Sequence, residues 1–480
     1  MDKQSIREVV LLAISVCMAV VVSAKVKVPA VLGEGAVLQQ ESEVKVWGWA
    51  NAGSTVVIST SWSADKVSAK VASDGTWGAR IATPAASYER QTMTLSDGEE
   101  TVISDILIGE VWLAAGQSNM EMPLKGFPGC CVENGLDDAI EAASLQGVRM
   151  FTVPRRHAYS PIYDCEGQWK GTSRFEDVLE FSATAFYFAE NLSKALHVPV
   201  GIINCSYGGT KVESWLPKEI LQTYPDVLTD SAEIVSTLPD YERAMAPYYG
   251  MFCAVKSYTV KGMIWYQGCS NVWNYEVYAD RITTMVAHWR EQMECGEMPF
   301  YFVQIAPYEY GTTDGIQAAR LREQQFMSLS TIPNSGMVST NDTVEPYERY
   351  NIHPRNKSIV GHRLSWMALN KTYGYKEICC EGPRYSGWTV KGNEAWVAFD
   401  NLQMGICRNY DLQGFELAGE DRIFHPADSV WLHWQTNEIV VSAKAVTTPI
   451  AVRYCFRDWQ SGTLKGGNEQ PALPFRTDDW

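Results

Sequence analysis

Apolar and polar residues alternate along the stretch that begins near residue 25. Runs such as Val44-Lys45-Val46-Trp47-Gly48-Trp49 and Thr55-Val56-Val57-Ile58 are separated by Gly, Asn, Asp and Ser, a period-2 pattern that predicts a β-sandwich over residues 25–104. Ser73-Asp74-Gly75 ahead of Thr76-Trp77 suits a hairpin turn. From about Asp105 the pattern changes. Ile106-Leu107-Ile108 with Val111-Trp112-Leu113, Val200-Gly201-Ile202-Ile203, Gly262-Met263-Ile264-Trp265 and Phe300-Tyr301-Phe302-Val303 are apolar throughout, as strands covered on both faces are. Between them, Ser182 is placed to cap a helix whose Ala185, Ala189, Leu192 and Leu196 recur at helical spacing. Ile282, Met285, Val286, Trp289 and Met293 mark a second helix, and Val360, Leu364 and Met367 a third. Helices alternating with buried strands predict an α/β parallel sheet over residues 105–375, with ligands at the carboxyl ends of its strands. Past about Tyr375 the alternation returns at 390–399, 430–434 and 439–442, predicting a C-terminal β module over 376–480.

Residues 1–24 read differently. Lys3 and Arg7 precede an apolar run at 9–22, and small residues Ser23-Ala24 close it, the layout of a secretory signal peptide. The run is shorter than the ~20 residues a membrane span needs. A lipid anchor at Cys17 would want a small residue before it, where Val16 stands. The expected location is therefore secreted or periplasmic, with no membrane attachment after cleavage. The chain carries 40 Lys+Arg against 56 Asp+Glu, a net charge of −16, which disfavours nucleic acid and anionic lipid as partners. Of 12 cysteines one lies in the leader. The rest, including Cys130-Cys131 and Cys379-Cys380, have no stapled rhythm, so buried thiols with at most one or two disulfides are expected. No CxxC pair argues for zinc, and the reading needs neither metal nor cofactor.

Three strand ends carry candidate chemistry. Gly116-Gln117-Ser118-Asn119-Met120 places a serine just past a buried strand, although Met120 excludes the G-x-S-x-G elbow. Asn204-Cys205-Ser206-Tyr207-Gly208-Gly209-Thr210 sets two glycines where backbone N–H groups can approach a ligand. Trp265-Tyr266-Gln267-Gly268-Cys269-Ser270-Asn271 offers the neutral donors Gln267 and Asn271, suited to an oxyanion. A serine nucleophile needs a base. Of seven histidines, His353 in Tyr350-Asn351-Ile352-His353-Pro354 follows the last predicted strand and is held on a bend before a helix expected to open at Arg355.

These segments resemble the SGNH hydrolases, and within them the sialate O-acetylesterase family. The resemblance rests on Gly109-Glu110-Val111-Trp112 with Gly116-Gln117-Ser118-Asn119-Met120, on Tyr207-Gly208-Gly209-Thr210 with Glu213-Ser214-Trp215, on Ile264-Trp265-Tyr266-Gln267-Gly268, and on Ile352-His353-Pro354-Arg355-Asn356-Lys357. It extends to Val37-Leu38-Gln39-Gln40 and Pro474-Phe475-Arg476-Thr477, so it spans nearly the whole mature chain. It implies a flavodoxin-like SGNH core with Ser118 as nucleophile and His353 as base. The implied oxyanion hole combines the N–H groups of Ser118 and Gly209 with the side chain of Gln267 or Asn271. The implied reaction is two-step acyl transfer from an acetylated sugar.

Two positions depart from the family pattern: Cys269 stands where relatives commonly carry Glu, and Asn351 where many carry Asp. The group that orients His353 is then Asp342, Glu345, the Asn351 amide or a backbone carbonyl, the last two giving a Ser-His dyad. Cys269 as a nucleophile is set against an apolar filler, and the filler is the expectation. O-acetylated sialic acid, with the 9-O-acetyl ester first, is the expected substrate; acetyl xylan or another acetylated polysaccharide is the alternative. Sialate is an anion, and Lys211, Arg355, Arg349 and Lys125 are the candidate cations. A third reading is a non-catalytic glycan-binding protein on a decayed esterase scaffold, with the β modules and many tryptophans as sugar platforms.

Overall fold

The computed structural model describes residues 25–480; the expected signal peptide lies outside the described residues. The core is a sheet whose strands run, in spatial order, Ser335–Val338, Phe300–Val303, Gly262–Tyr266, Glu100–Gly116, Val200–Ser206, Val148–Thr152 and Lys170–Gly171. All neighbours in that order pair in parallel except the last two. The four buried runs anticipated from sequence are all strands, and Val148–Thr152 and Ser335–Val338 join them. Helices Ala183–Leu196, Tyr278–Met293, Gln317–Met327 and Ser358–Lys371 flank the sheet. Ser182 caps the first of these, its hydroxyl accepting from the Ala185 N–H at 3.1 Å. The last helix begins at Ser358, three residues after the expected start, leaving Pro354 to Lys357 as an extension of the histidine loop.

The expected boundary between residues 104 and 105 falls inside one 17-residue strand, Glu100–Gly116. Its first half pairs with the antiparallel strand Ser87–Ser96 and the parallel strand Val37–Gln39 of the N-terminal region; its second half is the centre of the α/β sheet. The burial pattern records the change. Up to Asp105 only Ile103 is buried, and from Ile106 onward every residue is buried. A separate antiparallel pair, Glu43–Trp49 with Thr76–Ala82, completes the N-terminal β structure. At the other end, two four-stranded antiparallel sheets enclose their own core of Val397, Leu417, Ile439, Val441, Val452 and Tyr454. The protein is thus an α/β sheet flanked by helices with additional β-sheets at both termini.

Candidate active site

Parallel pairing brings the candidate motifs together. Ser206 and Tyr266 each lie in register with Gly116, so the three strands end side by side. Two further hydrogen bonds knit the exits: the Tyr207 N–H donates to Gly116 O and the Gln117 N–H to Tyr266 O, each at 3.0 Å. Gly116 sits at φ +142°, where a Cβ would lie 2.2 Å from the Tyr266 carbonyl oxygen, so only glycine permits this crossing. The chain then turns into the short helix Ser118–Glu121, with Ser118 at its first position.

His353 arrives from the loop after the edge strand Ser335–Val338, and its Nε2 lies 2.8 Å from Ser118 Oγ. Burial and, after it, the nearby Lys357 charge lower the His353 pKa to about 4. The imidazole is therefore neutral at pH 7, its Nε2 free to accept the serine proton. The ring packs edge-on against Phe127 at 5.2 Å. The structure so places a neutral imidazole within hydrogen-bond distance of Ser118 Oγ.

The acid position differs from expectation. Asp342 does not reach His353: its carboxylate accepts from both terminal nitrogens of Arg363 at 2.7 and 2.8 Å and pairs with Lys465 at 2.9 Å. Burial pushes its pKa up, and Arg363 and Lys465 outweigh this and hold it below the ordinary carboxylate value. Glu345 is exposed and forms a capping box with Glu348 at the short turn Pro346–Glu348. The Asn351 amide oxygen accepts from the backbone N–H of His353 at 3.1 Å, fixing the bend and not the ring. Among the described residues no ion pair joins His353 to any carboxylate, and the geometry is that of a Ser-His dyad.

Oxyanion donors also sort differently. Ser118 is the first residue of its helix, so its N–H has no intrahelical partner. Gly209, at φ +82°, donates no backbone hydrogen bond among the described residues, while its carbonyl accepts from Ser270 Oγ at 2.9 Å. Gly208 lies beside Ser118, since a Cβ there would be 3.1 Å from Ser118 Cβ. Gln267 and Asn271 are fully buried and their amide hydrogens are already engaged. Gln267 Nε2 donates to Thr210 O and Asn271 Oδ1, and Asn271 Nδ2 donates to Glu213 Oε2 and Asn274 Oδ1. Glu213 is itself paired with the buried Arg281. These two amides brace the loops that present Gly209, so among the candidate donors it is the N–H groups of Ser118 and Gly209 that have no hydrogen-bond partner among the described residues.

Among the cations named from sequence, Lys125 is paired with Glu180 and Arg349 with Glu309. Arg355 lies 3.3 Å from the Tyr347 hydroxyl, and Lys211 makes no ion pair among the described residues. Sequence reasoning missed Arg155. Its Nε and Nη2 grip Glu121, both at 2.5 Å, its plane stacks on Tyr207 at 4.6 Å, and Glu121 in turn accepts from the Gly208 N–H at 2.8 Å. Asn119 and Lys357 were also passed over as part of the motifs around them. Lys357 Nζ donates to Asn119 Oδ1 at 2.5 Å, and Asn119 Nδ2 donates to the Ile352 carbonyl at 2.9 Å. Cys269 is buried and its thiol pKa is raised by burial, the state of a packing residue; all eleven described cysteines are free thiols.

This arrangement has known counterparts. Residues 108–370 match the model of the carbohydrate esterase family described as sialic acid-specific acetylesterase. The chain is 27% identical to the sialate O-acetylesterase of Rattus norvegicus and 28% identical to that of Homo sapiens, over 92% of its length in each case and 92% and 90% of theirs. The crystal structure of a carbohydrate acetylesterase from Xanthomonas citri superposes with a TM-score of 0.82 at 30% identity, covering 95% of this chain and 100% of that one. With the family model spanning more than half of the chain, and the fold shared nearly end to end with a solved acetylesterase, the protein belongs to the sialic acid-specific acetylesterase family of carbohydrate esterases and is a carboxylic-ester hydrolase.

Proposed function

We propose that the protein is a secreted or periplasmic sialate O-acetylesterase that removes the 9-O-acetyl group through an acetyl-serine intermediate. The 2.8 Å contact between Ser118 Oγ and His353 Nε2 carries the mechanism. Ser118 Oγ attacks the acetyl carbonyl carbon as Nε2 takes its proton, and the N–H groups of Ser118 and Gly209 receive the oxyanion. Collapse breaks the ester C–O bond, and the sugar oxygen leaves with the proton from Nε2. Water then attacks the acetyl-serine, giving its proton to Nε2; acetate departs and that proton returns to Ser118. A sialate carboxylate is served by Arg155, whose Nη1 makes no hydrogen bond among the described residues and whose side chain is 51% exposed. Location outside the cytoplasm is supported by the leader-like residues 1–24. Among the described residues no helix is long and apolar enough to cross a membrane.

A polysaccharide acetyl ester is the second reading. The Xanthomonas citri protein of similar fold is a carbohydrate acetylesterase. Tyr241 overlies Gly209, and Trp273, Tyr347 and Tyr350 stand exposed on the loops that carry Asn271 and His353, giving aromatic faces on which neutral sugar rings can stack. Acetate release from 9-O-acetyl-N-acetylneuraminic acid and from acetylated xylan, by wild type and Ser118→Ala, decides between them. The proposal expects sialate to be preferred and both activities to vanish in the variant. Preference for xylan would overturn the substrate, and retained activity in Ser118→Ala would overturn the mechanism.

A further inference from the structure

A dyad with no carboxylate behind its histidine needs another means of holding the imidazole against the serine. His353 sits on a loop far from Ser118 in sequence, and its backbone N–H is tied only locally, to Asn351. The link across to the nucleophile is Asn119, the residue after Ser118. Its amide nitrogen donates to Ile352 O at 2.9 Å, one residue before the histidine, while its amide oxygen accepts from Lys357 Nζ at 2.5 Å, four residues after it. Asn119 and Lys357 are each only 1% exposed. The loop is thus clasped on both sides of His353 by one side chain that belongs to the nucleophile turn.

Burying an amine is unfavourable unless the fold gains from it. Lys357 makes no ion pair among the described residues; its nearest charged or titratable neighbours are Cys269 on the segment after strand Gly262–Tyr266, Glu348 on the preceding turn, Cys130 on the loop that packs Phe127 against the ring, and His353 itself. The Nζ also lies 5.8 Å from the centre of the Tyr266 ring, over the end of that strand. Glu348 is directed elsewhere, accepting from the N–H groups of Arg355 and Glu345. The ammonium is therefore stabilised mainly by one amide oxygen and an aromatic face, and burial lowers its pKa to about 7. Such an arrangement adds little to stability, so its effect falls on the geometry of the loop.

We infer that Lys357 is a positioning residue of the esterase site, which acts through Asn119 to hold His353 at Ser118 in place of a triad carboxylate. The inference rests on Ser118 and His353 being the reacting pair. Loss of the clasp frees the loop, and a displacement of ~1 Å in such a site costs up to ~10²-fold in rate. The Lys357 charge also depresses the His353 pKa, so its removal moves the acid limb of the pH profile upward.

The test uses the full chain with p-nitrophenyl acetate. Lys357→Met should lower kcat by ~10- to 100-fold with little change in KM, and should raise the apparent pKa of the acid limb. Lys357→Arg, which keeps charge and donor, should recover most of the rate. Asn119→Ala should lose kcat similarly while leaving the acid limb in place, because the ammonium remains. A Lys357→Met enzyme with wild-type kcat overturns the inference; if that variant does not fold, wild-type kcat in Asn119→Ala overturns it instead. Ser118→Ala run alongside separates the two levels: activity surviving there removes the dyad itself, whereas an inactive Ser118→Ala beside a fully active Lys357→Met removes only the role of Lys357.

Discussion

Replacing Asp342 distinguishes a structural carboxylate from a catalytic one. Its side chain is 6% exposed and bridges Arg363, 3% exposed on the helix Ser358–Lys371, to Lys465 of the C-terminal β region, 17% exposed. Asp342→Asn keeps the shape and removes the charge, leaving one buried guanidinium and one largely buried ammonium without a counter-ion. Breaking a buried pair in this way costs about 3–5 kcal/mol. The loss should appear first where the C-terminal sheets dock, so urea unfolding followed by tryptophan fluorescence should show an earlier transition, read as a midpoint because a chain of several modules need not unfold in one step. Turnover of p-nitrophenyl acetate at 25 °C, normalised to folded protein, should stay close to wild type. A rate loss of ~10³- to 10⁴-fold with unchanged stability is the signature of a missing triad acid and would refute the dyad.

Four further outcomes follow from the same geometry. Because the His353 pKa is lowered to about 4 and the base must be neutral, kcat/KM should hold steady as pH falls through 6.5 and decline only as it nears about 4; a midpoint at the ordinary imidazole value would contradict the burial. Gly116→Ala places a Cβ against the Tyr266 carbonyl at φ +142°, so it should destabilise by at least ~2 kcal/mol in chemical denaturation and abolish activity in what folds. Gln267→Ala strands the Asn271 and Tyr278 groups it binds and should cost ~1–3 kcal/mol of stability, whereas a kcat loss at unchanged stability would restore Gln267 as an oxyanion donor. With the sialate substrate, kcat/KM should rise as salt is raised from ~10 to ~150 mM, since screening shortens the Debye length from ~30 to ~8 Å and relieves the repulsion of a chain carrying −16, while a neutral ester should be insensitive.

The approach of the strand-end motifs to one another was legible because parallel topology converts separate motifs into neighbours. Once Gly116, Ser206 and Tyr266 are read as strand ends, Ser118 and Gly209 have to share an edge, whereas His353 reaches that edge on the loop that follows Ser335–Val338. What stayed hidden was which donors are free. An amide such as Gln267 has the same sequence signature whether it faces a cavity or is held by Thr210 O and Asn271, and the outcome depends on Glu213 and Arg281 packed behind it. Asp342 was misplaced for a similar reason: its partners Arg363 and Lys465 lie 21 and 123 positions away, and nothing local announces them. Lys357 reads as a surface charge in any one-dimensional pattern, and only the fold shows it under the site. Val148–Thr152 escaped because Arg149, paired with Asp105, interrupts the apolar run, and Ser335–Val338 because four residues with Ser and Gly in the lead carry little signal.

The chain as a whole is acidic, whereas the charge that acts on His353 is positive, and the difference bears on how the proposed dyad would work. The whole chain is acidic, yet the charge that acts on His353 is the Lys357 ammonium, and no carboxylate opposes it. Protonating His353 in the transition state therefore places a second positive charge in a buried region. A triad acid would stabilise that imidazolium; in the proposed mechanism the compensation would come from the oxyanion, which would form in the same step and carry the opposite charge at the N–H groups of Ser118 and Gly209. The dyad is favoured as an ion pair with its own tetrahedral intermediate and disfavoured as an isolated cation. Burial and the Lys357 charge keep the resting histidine neutral, and in the proposed mechanism its protonation would be tied to the presence of the acyl group.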